Sequence, residues 1–117
     1  MTVLKKTGCA TATLQYFGVH GVTWNNRTKK NVWPDTLRRN GYSVRSRKSK
    51  IKKNASVGAI RKTLEKIATE EPNITAFVVR VHGHVLVLDR NGVTVVDTDP
   101  RKADRRKVLG VLAIIPK

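Results

Sequence analysis

The chain has 117 residues and a formal net charge of +16, from 24 Lys and Arg against 8 Asp and Glu. This length predicts a single domain, and a hydrophobic share of 39% allows a small core. No apolar run approaches the roughly 18–20 residues that a membrane span needs. A lone cysteine excludes an intramolecular disulfide and any multi-cysteine zinc site. The charge favours a polyanionic partner such as nucleic acid, because basic surfaces release counterions from phosphate backbones.

Two helices are predicted in the first third of the chain. The first begins near Gly8 or Cys9 and ends by Gly18, since glycine readily takes the left-handed conformation that closes a helix. The second covers Pro34 to Arg39, where proline suits the first turn and Asn40-Gly41 supplies the exit.

A short edge strand over Tyr42 to Arg45 is predicted next, and a longer helix over Ser56 to Thr69 follows it. The hydroxyl of Ser56 can cap that helix by accepting a hydrogen bond from its first turn. Its apolar residues recur at the spacing of one buried helix face. These residues are Val57, Ile60, Leu64 and Ile67.

The remaining periodicity is that of strands. Strands are predicted over Ala76 to Val81, His84 to Leu88 and Val93 to Val96, with a turn at Asp89 to Gly92. Val108 to Ile115 is apolar on both faces, which favours a central position in the sheet. The predicted fold class is therefore α+β, with N-terminal helices packed on a C-terminal antiparallel sheet.

Cys9 lies at the predicted start of the first helix. Backbone N–H groups and the helix dipole favour a thiolate at such a position, and Lys5 and Lys6 add positive charge nearby. A thiolate is the nucleophilic form of cysteine, so Cys9 is a candidate nucleophile. The alternative is a small buried hydrophobic residue without a chemical role.

The predicted hairpin brings His84 to an aspartate in either of two registers. A turn centred on Arg90-Asn91 places His84 opposite Asp97, whereas a turn centred on Asn91-Gly92 places it opposite Asp99. A carboxylate there can hold the imidazole in one tautomer and stabilise its protonated form. His82 shares the predicted face of His84 and is the alternative base. Cys9, His84 and Asp97 thus form a nucleophile, base and orienting residue in chain order.

Residues 7–18, Thr-Gly-Cys-Ala-Thr-Ala-Thr-Leu-Gln-Tyr-Phe-Gly, resemble the nucleophile helix of papain-like cysteine peptidases, with the C39-like branch most similar. Residues 83–97 resemble the Gly-His-apolar strand, turn and Asp-ended strand of that superfamily, to which the CHAP and NlpC/P60 cell-wall enzymes are related. This resemblance implies a papain-like fold over residues 1–117, no cofactor, and catalytic roles for Cys9, His84 and Asp97. The substrate implied is a peptide or amide bond in a peptide or protein.

One position departs from the family pattern. Members commonly carry an oxyanion-hole glutamine six residues before the nucleophile, where this chain has Val3. Backbone N–H groups at the helix start could still donate to an oxyanion. Because loss of one such donor typically costs about 10²–10³ in rate, a slow enzyme or an inactive scaffold that binds nucleic acid is an alternative expectation.

One segment in the first half of the chain concentrates the positive charge. Residues 27–53 hold 11 basic residues and one acid, Asp35. Residues 45–53 are predicted to be an extended loop or arm, because like charges repel each other. Trp24, Trp33 and Tyr42 are interleaved with the basic residues and suit base stacking, but a core position is favoured for both tryptophans. The predicted polyanion-binding residues are Arg45, Arg47, Lys48, Lys50, Lys52 and Lys53.

Several expectations about setting follow from the same features. Polar residues after Lys6 interrupt any apolar segment of a signal peptide, which predicts a cytoplasmic protein without a membrane partner. A short, highly basic chain of this kind is typical of a bacteriophage protein, including a DNA-associated virion component. A cell-wall hydrolase delivered by a phage tail or by lysis is a further alternative.

Overall fold

The structure is a computed structural model that describes residues 11–19, 33–97 and 103–117. Helical backbone at residues 11–16 is labelled α1 here, and the other elements follow in chain order. They are α2 (Trp33–Arg39), β1 (Tyr42–Ser46), a 3₁₀ turn (Lys48–Lys50), α3 (Val57–Glu70), β2 (Ala76–Val81), β3 (His84–Asp89), β4 (Thr94–Val96), a second 3₁₀ turn (Ala103–Arg105) and β5 (Gly110–Pro116).

The five strands form one antiparallel sheet in the order β1-β5-β2-β3-β4. The α+β class predicted from the sequence is confirmed. β5 lies between β1 and β2, so the central position predicted from its two apolar faces is also correct. β1 lies at one edge, as predicted for Tyr42 to Arg45, and β4 lies at the other.

The two ends of α3 show how the sequence determines the helix. The Ser56 hydroxyl accepts a hydrogen bond from the Ala59 N–H at 3.2 Å, which satisfies one of the free donors of the first turn. At the other end, Arg90 donates to the carbonyls of Ala68, Pro72 and Ile74. One side chain from the β3–β4 turn therefore ties the end of α3 to the chain that leads into β2.

Helices cover both faces of the sheet. On one face, α3 buries its apolar stripe with inward residues of β2, β3 and β5, and Val57 and Leu64 are fully buried there. On the other face, Leu14 of α1 and Leu37 of α2 pack in a second cluster. Trp33 belongs to that second cluster and is 3% exposed, as expected for a core residue. Among the described residues, no helix is long and apolar enough to cross a membrane.

The end of α1 agrees with its predicted stop. Gly18 has φ 80°, and the N–H of Val19 donates to the carbonyl of Leu14 at 3.0 Å. Tyr42 at the start of β1 donates through its hydroxyl to the carbonyl of Phe17 at 3.1 Å. The C-terminal end of α1 is therefore fixed next to the β1 edge of the sheet. The predicted start of this helix lies outside the described residues.

Candidate functional site

His84 and Asp97 form a buried pair at one end of the β3–β4 hairpin. His84 is the first residue of β3, and Asp97 comes directly after β4. Their Nε2 and Oδ1 atoms are 2.7 Å apart, and their side chains are only 8% and 6% exposed. Because both groups are largely withdrawn from water, their mutual hydrogen bond replaces the hydration that each has lost. The structure thus contains the His84–Asp97 contact that the sequence predicts.

The contact arises in a different register from the one in which it was predicted. Val87 of β3 pairs with Val96 of β4, which corresponds to a turn centred nearer Gly92. By this register, Leu86 and not His84 is directly opposite Asp97. Asp97 therefore reaches the histidine diagonally across the pair, a separation that long or aromatic side chains can span. Asp99, the other predicted partner, lies outside the described residues.

The β3–β4 turn explains the shift in register. The Asp89 carboxylate accepts hydrogen bonds from the backbone N–H groups of Asn91 and Val93, at 2.8 and 3.0 Å. Gly92 takes a left-handed conformation, with φ 77°. The turn therefore closes between Asp89 and Val93, where a backbone hydrogen bond of 2.8 Å joins them, and the ladder becomes irregular at Val87 and Leu88.

The Asp97 contact determines which nitrogen of His84 can act as a base. A carboxylate only accepts hydrogen bonds, so Nε2 carries the proton in the neutral ring and donates to Oδ1. The lone pair is then on Nδ1. The contact therefore fixes the orientation of the ring and leaves Nδ1 as the nitrogen that can accept a hydrogen bond. This is the chemical arrangement of a general base with an orienting acid.

The pleat of β3 places His84 on the α3 face of the sheet. His84 pairs with Val81 and lies on the same face of β3 as Leu86, two positions along the strand. Val81 and Leu86 both belong to the cluster under α3. Leu14 of α1 packs in the cluster on the opposite face. Cys9, the predicted nucleophile, lies outside the described residues.

His82, the alternative base, has a different environment. It lies in the β2–β3 turn with an exposed side chain, whereas the side chain of His84 is buried against Asp97. Of the two histidines in the described part of the chain, only His84 is hydrogen-bonded to a carboxylate. Within residues 11–19, 33–97 and 103–117, no group of three or more His, Cys, Asp or Glu side chains is arranged to hold a metal ion.

Residues 45–53, predicted to be an extended loop or arm, contain the end of β1 and the 3₁₀ turn Lys48–Lys50. Arg45 and Ser46 are the last residues of β1, and the Arg47 N–H donates to the carbonyl of Val111 at 2.8 Å. The Arg47 guanidinium also binds both carboxylate oxygens of Glu71, at 2.9 and 2.5 Å. These contacts offset the repulsion between neighbouring cations, which is why the segment does not extend into solvent.

In the described part of the chain, the outer edge of β1 borders an open groove of about 610 Å³, called the β1 groove here. Of the predicted polyanion-binding residues, Arg45 and Arg47 line it, whereas Lys48, Lys50, Lys52 and Lys53 follow as exposed residues beyond the strand. The structure adds Arg38 from α2 and Lys117, which the sequence analysis missed. Pairing of the last strand with β1 brings Lys117 here, and the hydrophobic pattern alone does not reveal that pairing.

Comparison with known proteins gives no match: no family model, no curated protein and no solved structure matches this chain. The function is therefore inferred from the chemistry and the geometry of its own residues.

Proposed function

We propose that the chain is a cysteine hydrolase that cleaves a peptide or amide bond with Cys9, His84 and Asp97. The observation that carries this proposal is the buried 2.7 Å hydrogen bond between His84 Nε2 and Asp97 Oδ1. This hydrogen bond would orient His84 as a base. Its other ring nitrogen, Nδ1, has no hydrogen-bond partner among the described residues. The helical backbone that follows Cys9 supports a nucleophile at that position.

In this mechanism the Cys9 thiolate attacks the carbonyl carbon, and the carbonyl electrons move to the oxygen. As the tetrahedral intermediate collapses, protonated His84 donates its Nδ1 proton to the leaving amine, and the acyl group stays on sulfur as a thioester. His84 then takes a proton from water, which attacks the thioester. The acid product leaves and the thiolate is restored, with Asp97 bound to Nε2 throughout.

The structure places one requirement on this proposal. In this proposal Cys9 meets Nδ1 at the end of the sheet where β3 begins, because His84 lies on the α3 face and Leu14 on the other. In the described part of the chain, this end includes the β2–β3 turn and Asp97. The substrate would then approach the end of the sheet and not one of its faces.

Acylation by p-nitrophenyl acetate tests the proposal without knowledge of the natural substrate. An activated Cys9 should release p-nitrophenolate in a stoichiometric burst at pH 6.5 and retain an acetyl group that mass spectrometry locates on Cys9. Cys9→Ala should abolish the burst, and His84→Gln should slow both acylation and deacylation. His82→Gln is the matched control and should leave the burst unchanged. Equal rates in the native protein and His84→Gln would show that His84 has no catalytic role.

A further inference from the structure

The β1 groove is a second candidate site, separated from His84 and Asp97 by the width of the sheet. β1 and β4 are the two opposite edges, so the groove and the His84–Asp97 pair are on different sides of the molecule. Four cations and two hydroxyls line the groove. They are Arg38, Arg45, Arg47, Lys117, Ser43 and Ser46.

The cations of the groove are only partly neutralised. Arg38 binds Asp35 at 2.9 Å, and Arg47 binds Glu71. Arg45 and Lys117 are exposed, and neither is paired with a carboxylate in the described part of the chain. Two cations are thus held in position by acids while two others are available to an incoming anion.

The positive charge continues beyond the groove. The strand itself spans about 15 Å at the usual rise of roughly 3.3 Å per residue, and the 3₁₀ turn after it carries further exposed lysines. Lys48, Lys50, Lys52 and Lys53 extend the band in this direction. A band of this length with few acids matches a polymer with regularly spaced negative charges better than a single small anion.

The edge of β1 is poorly suited to a peptide that adds as a further strand. The Arg38 guanidinium donates to the Val44 carbonyl at 3.4 Å, and Lys117 Nζ donates to the Arg38 carbonyl at 3.3 Å. These side chains lie across the free edge and obstruct strand pairing, as charged residues on edge strands commonly do. Arginine and serine side chains are, in contrast, well suited to phosphate oxygens.

We propose that the β1 groove binds the phosphodiester backbone of nucleic acid. Arg45 and Lys117 contact phosphates directly, and Arg38 and Arg47, which are held by carboxylates, add positive charge beside them. Phosphate contacts carry no base sequence, so binding is independent of sequence and falls as salt rises. This proposal does not depend on the hydrolase activity, because Cys9, His84 and Asp97 take no part in it.

Fluorescence anisotropy with a labelled 20-base-pair DNA and with one of its single strands tests this proposal at several salt concentrations. The double variant Arg45→Gln/Lys117→Gln removes two charges from the groove. Lys62→Gln/Lys66→Gln removes two exposed charges from α3 and is the matched control. We expect the groove variant to lose about tenfold or more in affinity and its log–log salt slope to fall by about 2, at about 0.9 per phosphate contact. The control variant should lose much less.

Three results would overturn the proposal. The first is no binding of either DNA by the native protein at 50 mM salt. The second is an equal loss of affinity in the two double variants, which would indicate a net-charge effect without a site. The third is binding of poly-glutamate as tight as that of DNA at the same charge concentration, which would assign the groove to acidic polypeptides. Thermal unfolding of each variant shows whether it remains folded. If the Arg45→Gln/Lys117→Gln variant is unfolded, Arg45→Gln alone replaces it in the binding measurement.

Discussion

His84 and Asp97 are hydrogen-bonded at 2.7 Å although they are not directly opposite each other on β3 and β4. The contact is diagonal because the β3–β4 hairpin pairs Val87 with Val96, which shifts Asp97 by two positions along the ladder from the place opposite His84. Both side chains are largely buried, so the hydrogen bond between them replaces the contacts with water that each has lost.

Asp97→Ala should destabilise the fold, because it leaves a buried ring N–H without its acceptor. The expected loss is about 1–3 kcal/mol in the free energy of unfolding. Asp35→Ala is the matched control, since it removes a carboxylate from a pair whose side chains are 49% and 71% exposed. Exposed pairs contribute about 0–1 kcal/mol. Urea denaturation compares the two variants, and equal losses would contradict the interpretation that the His84–Asp97 pair is buried.

Gly92→Ala should be more destabilising than Gly83→Ala. Both glycines have positive φ, at 77° and 68°, so each alanine carries a backbone cost of roughly 1–2 kcal/mol. At Gly92 a Cβ would also collide with the backbone carbonyl of Arg61, whereas at Gly83 it would meet nothing within 4 Å. Urea midpoints should therefore fall further for Gly92→Ala. Similar midpoints would show that α3 does not press against this turn.

Arg90→Lys should destabilise the C-terminal end of α3. The guanidinium donates to Ala68 and Pro72 carbonyls at 3.0 and 2.9 Å and also to that of Ile74, and a lysine ammonium cannot reproduce this fork. We expect a loss of about 1–3 kcal/mol, with the exposed Arg80→Lys as the control. Hydrogen exchange should locate the change at residues 68–75. Faster exchange spread evenly over the chain would contradict the prediction that Arg90 stabilises this segment locally.

The Arg47–Glu71 pair should make stability depend on pH in the acid range. The Arg47 hydrogen bond holds the pKa of Glu71 below its ordinary value of 4.5, and the charges of Arg47 and Lys50 act in the same direction while burial opposes them. Because the folded pKa is the lower one, this stabilisation is present above pH 4.5 and is lost as the pH falls through the folded value.

Glu71→Gln removes that titration. The difference in urea midpoint between the native protein and Glu71→Gln should be largest near pH 7 and should shrink as the pH falls below 4.5. A difference that stays constant down to pH 2.5 would show that the pair does not contribute through the charge of Glu71.

Local patterns predicted the elements of this fold better than their arrangement. The Ser56 cap and the apolar stripe of α3 follow directly from short-range chemistry, as do the positive-φ stops at Gly18 and Gly41. The placement of α1 and α3 on opposite faces was not predicted, because periodicity identifies a buried face without identifying what covers it. The edge position of β1 was predicted, but its pairing with β5 was not.

The candidate site shows the same division. A contact between His84 and an acid was predicted because the two possible registers place either Asp97 or Asp99 opposite the histidine. The register itself was not predicted, since it depends on Asp89 closing the turn through two backbone N–H groups. The folded basic segment was missed because its anchor, Glu71, is 24 positions from Arg47 in the sequence. Long-range pairs of this kind leave no local signal.

The most direct test of the central proposal is the pH dependence of Cys9 alkylation by iodoacetamide. Cys9 is the only cysteine in the chain, so the rate reports one thiol. The native protein should react with a midpoint well below the ordinary thiol value of about 8.5, and His84→Gln should shift the midpoint toward that value. His82→Gln should leave it unchanged. A native midpoint near 8.5 that His84→Gln does not move would contradict a Cys9–His84–Asp97 hydrolase site.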